Sequence, residues 1–164
     1  MEYGYRLCTT PLGDLQLVAN EVGLCGVLWP HQHQPKPANN VTETSPQHDI
    51  LALAELQLQE YFTGERKIFT IPLAPEGTEF QQRVWRLLTD IPFGTTSTYG
   101  QLAKKLGDVN ASRAVGAANG KNKIAIVVPC HRVIGNSGTL TGFAGGLAAK
   151  EYLLNLESGK RLLF

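Results

Sequence analysis

TYGQLAKKLGDVNASRAVGAAN, Thr98 to Asn119, reads as two short helices joined by a tight turn. Thr98 with Gln101 three residues on makes a capping box, and Leu102, Ala103 and Leu106 then fall on one face. Gly107 stops that helix. Asp108 and Val109 lead to Asn110, a good cap for a second helix over Ala111–Asn119. Two short helices joined by about four residues with a glycine are a helix-turn-helix. Arg113 lies in the first turn of the second helix, the part that meets DNA in such motifs. That second helix is small-sided: Ala111, Ser112, Gly116 and Ala117 let a backbone come close. The close partner is either a ligand or another helix, and side-chain size alone favours neither.

Working outward, Ile124 to Val128 is a continuous apolar run that fits a buried strand. Gly135-Asn136-Ser137-Gly138 suggests a hairpin turn, hence a wing beside the helix-turn-helix. Leu147 to Leu156 closes the chain as a helix, with Leu147, Leu154 and the Ala148 side facing in. Upstream, Thr78-Glu79-Phe80-Gln81 is another capping box, followed by the stripe Phe80, Val84, Leu87, Leu88 and Ile91 up to Pro92. Residues 5–29 read as strands: Leu15, Leu17 and Ala19 alternate with polar neighbours except Val18, after a turn at Thr10-Pro11-Leu12-Gly13. A third strand runs from Gly23 to Trp29. Residues 30–46 are polar and proline-rich, a mobile loop, and Ser45-Pro46 then caps a helix whose inner face holds Leu51, Ala54, Leu58 and Tyr61, with Gly64 at its end. Residues 71–77 link two lobes, 1–77 and 78–164. The pattern is α/β (α+β): strands and a helix first, a winged helix-turn-helix second.

At 164 residues, 43% of them hydrophobic, the chain suits one domain or two small lobes. No apolar run approaches the roughly 20 residues of a membrane span, and the start, Met-Glu-Tyr-Gly, lacks the basic and apolar regions of a signal peptide. Three cysteines without framework spacing imply reduced thiols and a cytoplasmic location. The net charge of +1 hides an asymmetry. Residues 1–78 carry four Lys/Arg against nine Asp/Glu, net −5, and residues 79–164 carry eleven against five, net +6. A basic second lobe points to a polyanionic partner. Cys8, Cys25, His31, His33 and His48 lack the spacing of a metal site, and no glycine-rich phosphate loop is present, so neither metal nor cofactor is expected.

Cys8 and Cys25 sit in apolar strand contexts, where an inert buried thiol is the default. Cys130 is different. In VVPCHRVIG it follows a proline at the end of an apolar run and adjoins His131 and Arg132. Positive neighbours favour the thiolate, the form that attacks. The residues therefore point to a reactive thiol on a lobe charged for nucleic acid, without specifying a reaction.

PCHRV at 129–133 resembles the active-site signature of the O6-alkylguanine-DNA alkyltransferases, the methylated-DNA–protein-cysteine methyltransferases. The similarity runs through most of 79–157: FQQRVW, IPFGTTSTYGQLA, SRAVGAANGKN, IVVPCHRVIG and GFAGGLAAKEYLL. The N-terminal lobe adds only TPLG and its strand pattern. The resemblance implies a ribonuclease-H-like N-terminal lobe and a winged helix-turn-helix lobe that carries the chemistry. It implies a monomer acting on double-stranded DNA, with Cys130 taking the alkyl group from guanine O6 or thymine O4 in one displacement.

By the same resemblance, His131 would act through a water as the base that ionises Cys130, Glu157 would orient His131, and Asn122 would hold the array. Tyr99 would donate to the purine, and backbone carbonyls near Cys130 and Val133 would accept from the guanine amino group. Arg113 would fill the gap left by the extruded nucleotide. The helix bearing Ala111, Ser112 and Gly116 would lie in the minor groove. Ala144 stands where some relatives have serine, leaving backbone N–H groups near guanine O6 and putting tolerance for bulky alkyl groups in doubt. Two other classes share parts of this pattern. A winged-helix regulator needs no reactive thiol, and the alkyltransferase-like proteins lack the acceptor cysteine that Cys130 supplies.

Overall fold

The computed structural model describes residues 2–35 and 45–159, and the chain divides into two compact units, 1–76 and 77–164. Most of the loop expected to be mobile, residues 36–44, lies outside the described residues. No helix among the described residues is long and apolar enough to cross a membrane.

The first unit is an antiparallel meander, β1 (Gly4–Thr10), β2 (Gly13–Ala19) and β3 (Leu24–Leu28), with a helix, α1 (Pro46–Phe62), packed on it. Thr10 makes the first turn: its hydroxyl donates to Gly13 O and accepts from Leu12 N–H. Asn20 makes the second, its Oδ1 accepting from the N–H groups of Val22 and Gly23. From Leu15 to Ala19 β2 is buried on both faces, so the expected alternation fails at Gln16, which is 1% exposed. Its amide exchanges hydrogen bonds with the backbone of Gln34 at 3.0 and 2.7 Å, which satisfies the polar group in place of water. Leu51, Ala54, Leu58 and Tyr61 of α1 are buried, on the expected face. The segment expected to link the lobes, 71–77, starts as an edge on β3. Leu24 N–H donates to Pro72 O, Ala74 N–H donates to Leu24 O, and Leu73 pairs parallel with Leu24. A Cβ on Gly23 would stand 2.6 Å from Pro72 O, so only glycine lets that edge close. Cys8 and Cys25 are both buried, and burial pushes both thiols up to about 11, which makes them unreactive.

The second unit begins with α2 (Glu79–Thr89), whose Thr78/Gln81 capping box forms as read. Its inner face is Val84, Trp85 and Leu88, and Trp85 Nε1–H donates to Ala118 O at 2.9 Å. Two-residue strands β4 (Ser97–Thr98) and β5 (Val133–Ile134) pair in parallel, and α3 (Tyr99–Lys105) and α4 (Ser112–Gly120) form the helix-turn-helix between them. The Thr98/Gln101 box caps α3, and Gly107, at φ +86°, turns the chain out of it. Asn110 does not cap α4; Ala111 holds that position without a side-chain bond. Asp108 organises the turn instead, its carboxylate accepting from Asn110 N–H and its carbonyl from Ala111 N–H.

Three further expectations are corrected. The apolar run Ile124–Val128 is buried but is not a strand. It coils into overlapping turns, with Val127 N–H bonded to Ala125 O and Val128 N–H to Ile124 O. Ile126 at the centre has φ +72°, a left-handed conformation that a β-branched residue adopts only under strong packing constraint. At the expected wing, Gly135–Gly138 turns, and Gly135 N–H meets Thr139 O, but residues 139–146 return without forming a strand. Finally, α5 (Leu147–Ser158) buries Ala149, Lys150, Leu153 and Glu157, whereas Leu147 is half exposed and Ala148 exposed. The inward face carries two charged residues, so a search for leucines misplaces it.

Candidate active site

The coil 124–129 is held by one side chain. Asn122, just past the end of α4, donates from Nδ2 to Val128 O at 2.9 Å and accepts at Oδ1 from Ile124 N–H at 3.0 Å. It thereby supplies hydrogen bonds that a strand partner would otherwise give, and it fixes the coil that delivers Cys130. Cys130, His131 and Arg132 then form one turn of 3-10 helix. In such a turn successive side chains diverge by about 120°. All three residues are buried, His131 completely.

His131 and Arg132 both reach Glu157 on α5. His131 Nε2 lies 2.6 Å from Glu157 Oε2. Arg132 donates through Nε to Oε1 at 2.7 Å and through Nη2 to Oε2 at 3.0 Å, while its Nη1 donates to Ile91 O at 2.7 Å. Burial alone would raise the Glu157 carboxyl; the hydrogen bonds from His131 and Arg132, with the Arg132 charge, outweigh it and hold the group at about 2. Burial pushes His131 below its ordinary value, only partly offset by Glu157, so the imidazole is neutral. A neutral ring facing an ionised carboxylate carries its hydrogen on Nε2. That leaves a basic lone pair on Nδ1, which is buried and has no hydrogen-bond partner among the described residues.

Burial also pushes the Cys130 thiol up. The Asn122 amide and the charge of Lys150 oppose that rise, as does a backbone hydrogen bond. The chain neighbours credited in the sequence do not lower it: Arg132 is engaged by Glu157, and His131 is uncharged. Lys150, fully buried on α5, donates from Nζ to Val133 O at 2.6 Å and reaches Thr141 O at 3.4 Å and Thr141 Oγ1 at 3.3 Å. Thr141 Oγ1 is in turn 2.6 Å from Tyr99 Oη.

The structure thus gathers Asn122, Cys130, His131, Val133 and Glu157 around one buried turn, with Tyr99 joined to it through Thr141 and Lys150. Gly116 faces the Tyr99 ring, which would stand 3.7 Å from a Cβ there. Arg113 is exposed on α4, with Ala111 and Ser112 half exposed beside it, and Ala144 is exposed in the loop before α5. These four take no part in the hydrogen bonds of the buried turn. Sequence reading missed Arg132 as a carboxylate clamp, and missed Lys150 and Thr141. The one available signal was that Lys150 and Glu157 stand seven residues apart, on one helical face with Leu153 between them.

Fold and site together define a protein with a buried nucleophile-type cysteine, backed by a histidine–carboxylate pair, on a helix-turn-helix unit. Residues 79–159 match the DNA-binding domain of 6-O-methylguanine DNA methyltransferase, and residues 4–75 match its ribonuclease-like domain. A methylated-DNA–protein-cysteine methyltransferase of Methanosarcina acetivorans is 48% identical over 93% of this chain and 97% of its own. One of Haemophilus influenzae is 41% identical over 93% of this chain and 85% of its own. The crystal structure of Mycobacterium tuberculosis O6-methylguanine methyltransferase superposes with a TM-score of 0.83 at 42% identity, covering 99% of this chain and 97% of that one. The M. tuberculosis OGT structure in complex with DNA gives 0.82 at 42% identity, over 94% and 92%. The chain belongs to the 6-O-methylguanine DNA methyltransferase family.

Proposed function

We propose that the protein repairs DNA by direct reversal, moving the alkyl group of O6-alkylguanine, and less efficiently O4-alkylthymine, onto Cys130. The carrying observation is the buried Cys130, His131 and Glu157 cluster within the basic helix-turn-helix unit. The first lobe, 1–77, is the ribonuclease-like one, and 78–164 holds the chemistry. The protein acts as a cytoplasmic monomer on double-stranded DNA and needs no cofactor, because the lesion itself carries the group.

The chemistry starts from a thiol, since burial opposes its ionisation. His131 takes the Cys130 proton on Nδ1 through a bridging water, while Glu157 fixes the ring and stabilises the imidazolium. Asn122 and Lys150 stabilise the thiolate that results. The sulfur lone pair forms the S–C bond as the C–O6 bond breaks, and the electron pair passes into guanine. Tyr99 gives its hydroxyl hydrogen to the purine and so neutralises the leaving group. Val133 O already accepts from Lys150, but a carbonyl has a second lone pair, and that one, with the Cys130 carbonyl, accepts from the guanine amino group.

Outside the pocket, Arg113 occupies the stack position of the extruded nucleotide, and its exposure on α4 suits that task. Ala111, Ser112 and Gly116 give α4 a thin face for the minor groove. With Ala144 in place of serine, backbone N–H groups contact guanine O6. The test is titration of the protein with duplex carrying labelled O6-methylguanine, followed by intact mass and peptide mapping. One methyl per molecule, on Cys130, is expected. Many lesions repaired per molecule, or methyl found elsewhere, overturns the reading.

A further inference from the structure

Tyr99, Thr141 and Lys150 come from three parts of the second unit: the start of α3, the 139–146 loop and the inner face of α5. Their polar atoms nevertheless form a chain. Tyr99 Oη and Thr141 Oγ1 are 2.6 Å apart, and Lys150 Nζ lies 3.3 Å from Thr141 Oγ1 and 2.6 Å from Val133 O. An ammonium can only donate, so Thr141 Oγ1 accepts from Lys150. Thr141 Oγ1 still carries its own hydrogen, and when that hydrogen points at Tyr99 Oη, 2.6 Å away, the Tyr99 hydrogen is free for a base. In this order, every hydrogen in the chain points from Lys150 toward Tyr99.

We propose that Thr141, backed by Lys150, is a positioning residue that aims the Tyr99 hydroxyl and resupplies the proton Tyr99 gives to the departing guanine. The proposal rests on the reading of Tyr99 as the purine's proton donor. The Cys130 thiolate forms the S–C bond, the C–O6 pair goes to guanine, and the Tyr99 hydrogen goes to a guanine ring nitrogen. The Thr141 hydrogen moves to Tyr99 Oη and one Lys150 hydrogen moves to Thr141 Oγ1. Cys130 ends as a neutral thioether, guanine and Lys150 end neutral, and the proton first taken from Cys130 remains on His131.

Electrostatics times this transfer. Burial pushes the Lys150 ammonium below its ordinary range, and the charge of the Cys130 thiolate pulls it back up. Methylation erases that thiolate, so the ammonium loses its counter-charge in the very step in which guanine needs a proton. Val133 O holds Nζ in place throughout, because neutral lysine still has hydrogens to donate.

Thr141→Val keeps the shape of the side chain and removes the hydroxyl. Two methyl donors separate a proton relay from mere packing: duplex O6-methylguanine, whose leaving group needs a proton, and methyl iodide, whose leaving group does not. In the valine variant, single-turnover transfer from saturating DNA should fall at least about tenfold. DNA affinity and methylation of Cys130 by methyl iodide should stay as in the unaltered protein. Thr141→Ser should restore most of the transfer rate. The proposal is overturned if methyl iodide and DNA reactions slow in step, if valine transfers as fast as threonine, or if serine is as slow as valine. Should the valine variant not fold, Thr141→Ala removes the same hydroxyl and is read against serine in the same way. An unaltered protein that accepts methyl from iodide but none from DNA would instead overturn the functional reading itself, and with it the relay.

Discussion

Replacing Arg132 with methionine keeps a long apolar stem and removes the guanidinium. That group makes two bonds to Glu157 and one to Ile91 O, and its carbon lies 5.8 Å from the centre of the Phe93 ring. The Arg132 and Glu157 side chains are 7% and 1% exposed, so water cannot replace what is lost. Removing one partner of a buried ion pair costs about 3–5 kcal/mol. Linkage gives an independent figure. Holding the Glu157 carboxyl at about 2 against its ordinary 4.5 is worth about 3 kcal/mol at about 1.4 kcal/mol per pKa unit, shared between Arg132 and His131. Linkage thus caps the share of Arg132 at about 3 kcal/mol, the low end of the first range, and a loss of that size in a chain of this length lowers Tm by about 6–12 °C.

The pH dependence fixes the cause. A carboxyl that is more acidic folded than unfolded stabilises fully above the unfolded value of 4.5, and the contribution fades as pH falls toward 2. Thermal melts of both proteins from neutral pH downward should therefore show a gap that narrows with acid. Adding Glu157→Gln to the methionine variant removes the stranded charge and should recover much of the stability, while repair stays slow because His131 has lost its carboxylate. A loss below about 1 kcal/mol at neutral pH, or a gap independent of pH, would refute the assignment of Arg132 as the clamp on Glu157.

Cys130→Ala should abolish alkyl transfer and keep DNA affinity, measured by gel shift, because the thiol makes the bond and adds little binding. Glu157→Ala should leave His131 unoriented and slow transfer without changing affinity; rates unchanged across neutral pH would remove Glu157 from the triad. Arg113→Ala should slow repair of duplex more than of single strands, where less stacking is lost; equal slowing would make Arg113 a phosphate contact. The methylated protein should melt below the fresh one, since an added methyl in a close-packed site costs about 1–3 kcal/mol.

Where local rules act alone, the sequence was a reliable guide. Thr78/Gln81 and Thr98/Gln101 satisfy helix-end N–H groups with residues three apart, so both starts are legible without tertiary information. The meander follows from its turns in the same way. Reading failed where a distant group overrode the local pattern. Ile124–Val128 has the composition of a buried strand, yet only Ile124 makes a single β-bridge, because Asn122 bonds both ends and bends the run into turns. Asn110 is a better cap than Ala111 by type, but the Asp108 carboxylate engages its N–H in the turn. On α5 the apolar pattern favours Leu147 and Leu154, whereas Lys150 and Glu157 go inward because Val133 O, His131 and Arg132 are there to meet them. The candidate nucleophile Cys130 stands out in PCHRV; the charges around it do not, since their partners are fixed only by folding.

Those charges explain why a protein with a reactive cysteine would bury it. An exposed thiolate beside a free arginine would react with any electrophile, and a thioether gives no route back. Here Arg132 is engaged by Glu157, His131 is neutral, and burial holds Cys130 as the thiol. Lys150 and Asn122 lower the cost of ionisation without removing it. In the proposed reaction the nucleophile therefore forms only when His131 Nδ1 has a path to the Cys130 proton and an alkyl carbon is in place to receive the sulfur. The same burial that slows the thiol in isolation protects it from stray electrophiles until a lesion occupies the pocket, which is the condition a single-use acceptor must meet.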